Sequence, residues 1–523
     1  MPRRHILSAA GALAAALLLA FQGPAGAQDA TGQPLRGSIG LQEGSDVLPA
    51  PIATESGQSA DSLDSTVEDV AASSSSLGGL GDEAPPQSAT PPLGGLGDEP
   101  GDLEAEEIVL PEEGIGLTAP TRASYVAPQI HSALLPEPHD LDPFVPIGIR
   151  LGSFILFPEA EIGVDMTNNV LATRFDAHSD AGPQVTPKIR VDSDWNRHSL
   201  SFEANADRIW YSEFPIADVK NYQVLTRGRL DVTRRTRLFG EVEKSHVEEG
   251  PSSISITDIA TSGTTALDEQ HATAAIEHTF NRLTMKLTGT VADYNYSDTS
   301  DPALIGDLPF VDVNDYQEIV GTLRSTYEFQ PRWAGFIETS VNERDYREPI
   351  TVAGFRRGSS GYTAMAGVNL RLAGTLFGEI AAGWGEQQPI EDSFAMVSGP
   401  LINGDLIWMP TISTKFEFIA RSTISETTLD NSAGAIDHFF QLSLQQAFWR
   451  YLVLGVYASY EAADYAGNPQ LDQRTKLGAT AEYYFNPVLS AYARYEHTDF
   501  TSSPDSSADF LEDEFKIGLK LRR

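Results

Sequence analysis

Apolar and polar side chains alternate along the chain from about Phe154 to its last residue. Within residues 283–291, leucine, methionine, glycine and valine at odd positions alternate with threonine and lysine at even positions. A period of two predicts β-strands with one apolar and one polar face. The pattern places eighteen candidate strands, near residues 155–166, 183–194, 197–212, 218–232, 236–249, 267–281, 283–297, 314–329, 332–347, 358–372, 375–388, 404–418, 419–430, 434–447, 450–464, 471–485, 488–500 and 512–522.

The connections between these strands fall into two classes that alternate along the chain. One class is long and polar, as at 249–266, 297–314 and 388–403. The other class is tight, with turns at Asn196-Arg197, Arg234-Arg235, Asn281-Arg282, Gln330-Pro331, Ala373-Gly374, Ala420-Arg421, Trp449-Arg450 and Asn486-Pro487.

Short turns at one end and long loops at the other are typical of an up-and-down transmembrane barrel. The predicted strands hold about 12 to 15 residues, more than the roughly nine to eleven that cross the hydrocarbon core. We therefore predict an all-β fold, an antiparallel up-and-down transmembrane β-barrel of about 18 strands. A secreted or periplasmic β-protein is the alternative, although a β-sandwich would show shorter strands and Greek-key crossings.

The side chains at the short turns support the membrane interpretation. Barrels that span a membrane carry aromatic residues at the level of the lipid headgroups. The sequence places a group of aromatic residues at or near the predicted turns, namely Phe280, Phe329, Trp333, Phe416, Phe418, Phe448, Trp449, Tyr451 and Phe485. Each could pack in an ordinary core, but their clustering at one end favours an interfacial girdle.

The N-terminal region differs in kind from the strands. Residues 1–27 begin with two arginines, continue with an apolar run and end in Ala25-Gly26-Ala27, which predicts a signal peptide. Residues 28–140 hold 20 acidic and two basic residues and are rich in proline, glycine and serine. This composition predicts a disordered periplasmic arm that precedes a barrel over 141–523. The arm contains the motif LGGLGDE twice, at 77–83 and 93–99, either as a docking motif or as a linker duplication.

Composition excludes several classes of function. The formal net charge is −37, which disfavours nucleic acid as a partner. The chain has no cysteine, so thiolate metal sites and cysteine nucleophiles are excluded. Beyond the signal peptide no run of eighteen apolar residues occurs, so the sequence offers no transmembrane helix.

Three stretches resemble a known family. These are RLGSFILFPEAEIGVDMTNNV at 150–170, SDWNRHSLSFEANADRIWY at 193–211 and LDVTRRTRLFGEV at 230–242. They are similar to the opening strands of the putative β-barrel porin 2 family of alphaproteobacterial outer-membrane proteins. The resemblance covers about 145–523 and implies an outer-membrane barrel, linked in some relatives to exopolysaccharide export. One departure is the C-terminus, because many outer-membrane proteins end on an aromatic residue and this chain ends Leu521-Arg522-Arg523.

The sequence carries no recognisable catalytic motif. His278 and His438 lie in neither a Gly-x-Ser-x-Gly nor a His-Glu-x-x-His context, so we interpret them as residues near the membrane interface. A group of aspartates could hold calcium, but its spacing does not fit an EF-hand loop. We predict no enzyme activity, no cofactor and no metal site. The aspartates are Asp293, Asp298, Asp301, Asp307, Asp312 and Asp315.

The polar faces of the strands point to a lumen that carries charges of both signs. These charges could line a wet channel, or they could pair with each other across neighbouring strands. The alternation leaves both possibilities open. The predicted pore-lining residues are Glu203, Arg227, Arg229, Arg324, Glu338, Arg344, Arg371, Arg494 and Glu496.

We predict a porin-like channel in the cell outer membrane for passive diffusion of small hydrophilic solutes. One alternative is an exopolysaccharide export barrel, and another is a non-conducting structural barrel whose arm tethers the envelope. The expected partners are outer-membrane lipid, the barrel assembly machinery and small solutes or saccharides. No nucleic acid is expected.

Overall fold

The computed structural model describes residues 141–249, 265–298, 315–350, 354–372, 375–427, 432–504 and 509–523. The predicted signal peptide, the acidic arm at 28–140 and both LGGLGDE copies lie outside the described residues.

Within the described residues the fold is a closed antiparallel barrel of eighteen strands. A short strand, β1 (Ile149–Leu151), precedes the barrel and pairs with its first strand. The barrel strands are β2 (Phe154–Thr167), β3 (Asp180–Ser193), β4 (Ser199–Ile209), β5 (Val219–Thr233), β6 (Thr236–Glu249), β7 (Thr265–Phe280), β8 (Leu283–Asp298), β9 (Tyr316–Gln330), β10 (Trp333–Tyr346), β11 (Ser359–Leu372), β12 (Leu376–Pro389), β13 (Val397–Thr411), β14 (Thr414–Ser425), β15 (Ala435–Phe448), β16 (Leu452–Tyr465), β17 (Leu471–Asn486), β18 (Leu489–Ser503) and β19 (Phe510–Arg522).

Each strand pairs with the strands before and after it in sequence, and β19 pairs with β2 to close the ring. At the closure Gly518 lies opposite Gly163 and Lys520 lies opposite Glu161. Closure gives every barrel strand a ladder partner on both sides along at least part of its length, as a strand-built protein needs in lipid. The predicted up-and-down transmembrane barrel is therefore confirmed.

Helical structure is sparse in the described part of the chain. One 3₁₀ turn, Pro215–Ala217, lies in the connection between β4 and β5. Among the described residues no helix has the length and apolar character needed to cross a membrane.

The connections alternate in length as predicted, and β2 begins and β19 ends at the short-turn end of the barrel. The turn predicted at Ala420-Arg421 is wrong, because both residues lie inside β14 and the chain turns instead between Thr411 and Thr414. The long connection predicted at 388–403 is also wrong, because β13 already begins at Val397.

The physical reason for both errors lies in the composition of β13. Its first half contains Gly399-Pro400 and Asn403-Gly404, which are residue pairs typical of turns. Proline lacks the backbone N–H that a strand with two partners would use. The ladder between β13 and β14 begins only at Gly404, so Pro400 has a ladder partner on one side alone, at Trp384 of β12.

The outer face of the barrel carries the apolar set. Ile162, Leu287 and Leu519 are each about half exposed, as expected for side chains that face lipid. The aromatic residues near the short turns pack against one another on this face. The rings of Phe329 and Trp333 are 4.7 Å apart, and the other pairs are Trp408–Phe416 and Tyr483–Phe485.

Candidate functional site

The candidate site is the lumen, and the nine predicted pore-lining residues all lie on its face of the wall, opposite to the exposed apolar set. Seven of them take part in ion pairs there. The pairs are Arg227–Glu241, Arg229–Asp231, Arg324–Glu338, Arg344–Glu318, Arg494–Glu161 and Lys476–Glu496.

The two other predicted residues are placed by the strand register. Glu203 of β4 is opposite Arg190 of β3, whose guanidinium lies 4.4 Å from the centre of the Phe157 ring. Arg371 of β11 is opposite Phe377 of β12. Ion pairs thus engage seven of the nine predicted residues, six of them with partners on other strands.

One group of charges surrounds Arg324 and includes residues of three strands. Its guanidinium nitrogens lie 3.2 Å from Oε2 of Glu338 and 2.6 Å from Oε2 of Glu379. The same guanidinium lies 3.6 Å from the centre of the Phe336 ring. These residues come from β9, β10 and β12, so the wall curves tightly enough here to bring together strands that are not neighbours.

A second group surrounds Arg344, which is only 3% exposed. Its Nε lies 2.8 Å from Glu318 and its Nη1 lies 2.9 Å from Glu426. Its Nη2 donates a hydrogen bond of 2.8 Å to the carbonyl of Ile424. Tyr346 also donates to Glu426. Glu426 follows β14, four strands away from Arg344 on β10, and sequence alternation gives no signal for such a contact.

A third group joins the strands where the barrel closes. Glu161 of β2 lies 2.9 Å from both Arg494 of β18 and Lys520 of β19. Lys520 also lies 3.5 Å from Glu482 of β17. A buried carboxylate needs such partners, because removing it from water is costly. The group fastens the first strand of the barrel to the last three.

The segment before the first strand lies inside the lumen at the short-turn end. Leu141 is 5% exposed and packs on Met409, Val453 and Tyr484, which face inward from β13, β16 and β17. Asp142 accepts two hydrogen bonds from the guanidinium of Arg522, one of them 2.8 Å long.

The same anchor includes a residue at the end of the last strand. Arg522 faces inward, binds Asp142 and also donates a 3.0 Å hydrogen bond to the carbonyl of Phe144. The Phe144 ring lies 6.1 Å from that of Tyr451 and 6.2 Å from that of Tyr484. Arg522 therefore holds the chain that enters the barrel against the end of β19.

Aromatic side chains pack against one another on the inner face of the wall towards the long-loop end. The Tyr294 ring stacks on that of Tyr316 at 4.5 Å, and Tyr316 lies 5.3 Å from Tyr346. Because Tyr294 and Tyr316 are almost completely buried, their faces are covered by neighbouring side chains. This ladder therefore packs β8, β9 and β10 together.

The other chemical candidates form ordinary contacts. His278 binds the hydroxyl of Thr236 and His438 binds the hydroxyl of Ser422, both near the outer face. Asp293 and Asp315 both bind Arg347, at 2.7 and 3.0 Å. Asp301, Asp307 and Asp312 lie outside the described residues, as does the side chain of Asp298. Across the described ranges, no group of three or more histidine or acidic side chains could hold a metal ion.

Comparison with known proteins agrees with this architecture. The family model described as putative beta-barrel porin 2 matches residues 142–523, which confirms the resemblance seen in the sequence. Among curated proteins, nothing matches the chain.

Several solved structures are similar in fold. The FrpB iron transporter from Neisseria meningitidis is 8% identical over 66% of this chain and 61% of that chain, with a TM-score of 0.37. The siderophore receptor PirA from Acinetobacter baumannii is 8% identical over 70% of this chain and 80% of its own, with a TM-score of 0.37. A mutant of the ferric enterobactin receptor (PfeA) from Pseudomonas aeruginosa is 8% identical over 70% of this chain and 80% of its own, with a TM-score of 0.38. The chain thus spans less than two thirds of the FrpB transporter.

Proposed function

The chain belongs to the putative beta-barrel porin 2 family, and on that premise we propose that it forms a channel through which small hydrophilic solutes diffuse passively across the outer membrane. A barrel of eighteen strands is too wide for wall side chains to fill its interior, so it encloses an aqueous space unless other segments occupy it.

One observation carries this proposal, namely the state of the charges on the inner face of β5 and β6. The side chains of Arg227 and Glu241 are 32% and 31% exposed, and that of Arg229 is 26% exposed. Charged groups that keep this much access to solvent on the inside of a barrel need water beside them. This part of the wall supports a wet passage, in contrast to the buried groups around Arg324 and Arg344.

The proposal assigns a place to each part of the chain. Residues 1–27 direct export, the acidic arm at 28–140 lies in the periplasm, and the barrel is inserted by the barrel assembly machinery. The short turns face the periplasm and the long loops face outward, as in other transmembrane barrels. The Arg227, Arg229 and Glu203 side chains belong to the pore wall. The activity requires no catalysis, no cofactor and no nucleic acid.

The second candidate is a non-conducting barrel that serves the structure of the envelope. Two features favour it. Leu141 to Phe144 occupy part of the lumen at the short-turn end, and the groups around Arg324 and Arg344 join strands across the lumen side of the wall. A saccharide exporter, the third possibility, differs from both because it would pass or bind long saccharide chains.

Conductance of the refolded protein in planar bilayers tests the proposal. Heat-modifiable mobility on a gel first establishes that the barrel is folded. We expect discrete conductance steps, together with swelling of proteoliposomes in monosaccharides that declines as the saccharide lengthens. Folded protein without conductance would support the structural barrel. Strong block by long saccharides at low concentration would support the exporter.

A further inference from the structure

The ladder between β13 and β14 stops halfway up the barrel. The last paired residues are Gly404 and Ala420, although β13 continues back to Val397 and β14 continues on to Ser425. Beyond this point the two strands are joined by hydrogen bonds from the backbone to side chains. The amide of Ile402 donates to Oγ of Ser422 at 3.0 Å, and the amide of Ser422 donates to a side-chain oxygen of Asn403 at 3.2 Å. The long-loop halves of β13 and β14 have therefore separated.

The outer face of β14 and β15 is not exposed to lipid in this half of the barrel. Ile424 has the same alternation phase as Phe416 and Phe418 of the aromatic girdle, so it belongs to the outer face of β14. It nevertheless packs in a buried cluster with residues of the inner face of the preceding wall. Ile436 of β15, its ladder partner, packs against the same cluster. The inner-face members are Phe336, Met365, Ala381, Val397 and Leu401.

The sheet therefore overlaps itself, with the long-loop half of the β14–β15 hairpin folded inside the wall formed by β10 to β13. Inner-face glycines make room for it. A Cβ on Gly385 would lie 2.9 Å from Cδ1 of Ile424, and a Cβ on Gly399 would lie 2.6 Å from Cδ1 of Ile436. A Cβ at either position would require the facing isoleucine side chain to shift, and a branched side chain such as valine would add further atoms to the space between the two layers.

A buried polar contact at the end of β14 holds this half of the hairpin against the wall. Glu426 is 6% exposed and receives hydrogen bonds from Arg344 at 2.9 Å and from Ser359 at 3.0 Å. The hydroxyl of Tyr346 donates to its other oxygen at 2.8 Å. These partners come from β10 and β11, so Glu426 fastens the hairpin across three intervening strands.

We propose that this inward-folded half-hairpin is the constriction that sets the size limit for solutes in the lumen, and that Glu426 is the positioning residue that keeps it folded in. The inference rests on the proposed channel function. Two packed sheet layers lie about 10 Å apart, so the extra layer removes a width of that order from the bore. The separated halves of β13 and β14 give the hairpin the freedom to move away from the wall's inner face.

The test uses the natural absence of cysteine in the sequence. Gly399→Cys and Ile436→Cys together place two thiols across the overlap, where a short bis-methanethiosulfonate can bridge them reversibly. Efficient bridging in native vesicles confirms the overlap itself. Ile436→Cys removes the Cδ1 atom that a side chain at Gly399 would meet, so the two changes fit together. Conductance and saccharide uptake are then compared for this double-cysteine protein alone and with Glu426→Gln or Gly385→Val added, each before and after bridging.

We expect Glu426→Gln and Gly385→Val to raise single-channel conductance on the order of twofold and to admit larger saccharides, since a sheet layer leaves the bore. Bridging should return Glu426→Gln to the wild-type value, and reduction should release it again. Asp513→Asn, which weakens a pair with His497 between the adjacent strands β18 and β19 on the outer face, is the matched control and should leave conductance and the size limit unchanged.

Two outcomes overturn the proposal. If the wild type conducts and neither Glu426→Gln nor Gly385→Val changes conductance or size limit, the half-hairpin is not the constriction. If no folded variant conducts, the channel function fails and this inference fails with it. Gly385→Val acts through packing and Glu426→Gln through a polar contact, so failure of one variant to fold leaves the other decisive.

Discussion

The anchor of Leu141 and Asp142 inside the lumen leads to a quantitative prediction about local opening. Replacing Leu141 with alanine removes most of a side chain that is 5% exposed and packed on Met409, Val453 and Tyr484. Leu→Ala changes at buried sites cost about 2–5 kcal/mol. The segment takes no part in the barrel ladder, so this cost should appear as release of the segment and not as unfolding of the barrel.

We take the lower end of this range for the free-energy cost of releasing the segment in Leu141→Ala. About 2 kcal/mol corresponds to a roughly thirtyfold shift towards the released segment. Arg522→Gln should act in the same direction, because it breaks a buried ion pair of the kind worth about 3–5 kcal/mol when one partner is lost. This free energy is an upper limit, because the Asp142 carboxylate is hydrated again once the segment is released.

Chymotrypsin cleavage after Phe144, read from the appearance of Val145 as a new N-terminus, measures the released population. When the segment opens and closes faster than the protease cuts, the cleavage rate follows that population. Leu141→Ala should therefore cleave roughly thirtyfold faster than the wild type, with an unchanged melting temperature of the barrel.

Leu521→Ala is the matched control, because Leu521 neighbours Arg522 but lies on the outer face and is 46% exposed. It should leave the cleavage rate unchanged. Rapid cleavage of the wild type after Phe144, or an unchanged rate in Leu141→Ala, would refute the reasoning, since either result means that the segment is not held in the lumen.

Two further predictions concern orientation and selectivity. A cysteine introduced at Ser393, in the connection between β12 and β13, should react with an impermeant thiol reagent on whole cells. A cysteine introduced at Arg282, in a short turn, should react only after lysis. The reverse result would invert the proposed topology. Arg227→Gln should increase cation preference in planar bilayers, because it removes a partly exposed positive charge and leaves Glu241 on the wall. This preference should fall as salt rises and screening shortens to a few ångströms, and an unchanged reversal potential would place Arg227 outside the ion path.

The sequence by itself determined the strands, their faces and the ends of the barrel. Period-two alternation and turn residues are local properties, so β6 and β8 match their predicted limits to within one residue. Alternation also assigns each charge to a face, which is why Arg227 and Arg494 could be placed in the lumen. It failed at β13, where Gly399-Pro400 imitates a turn, because the strand has a ladder partner on only one side there.

Only the tertiary structure decided which charges meet and which parts of the lumen are filled. Arg344 binds Glu426 across three intervening strands, and Arg522 binds Asp142 from the opposite end of the chain's described part. Alternation says which face a side chain occupies, but not how the wall curves or what lies opposite after closure. Curvature depends on where glycines such as Gly385 and Gly399 let one layer approach another. How closely two layers approach depends on packing and on the desolvation of charges between residues far apart in sequence. These contacts form only once the ring has closed.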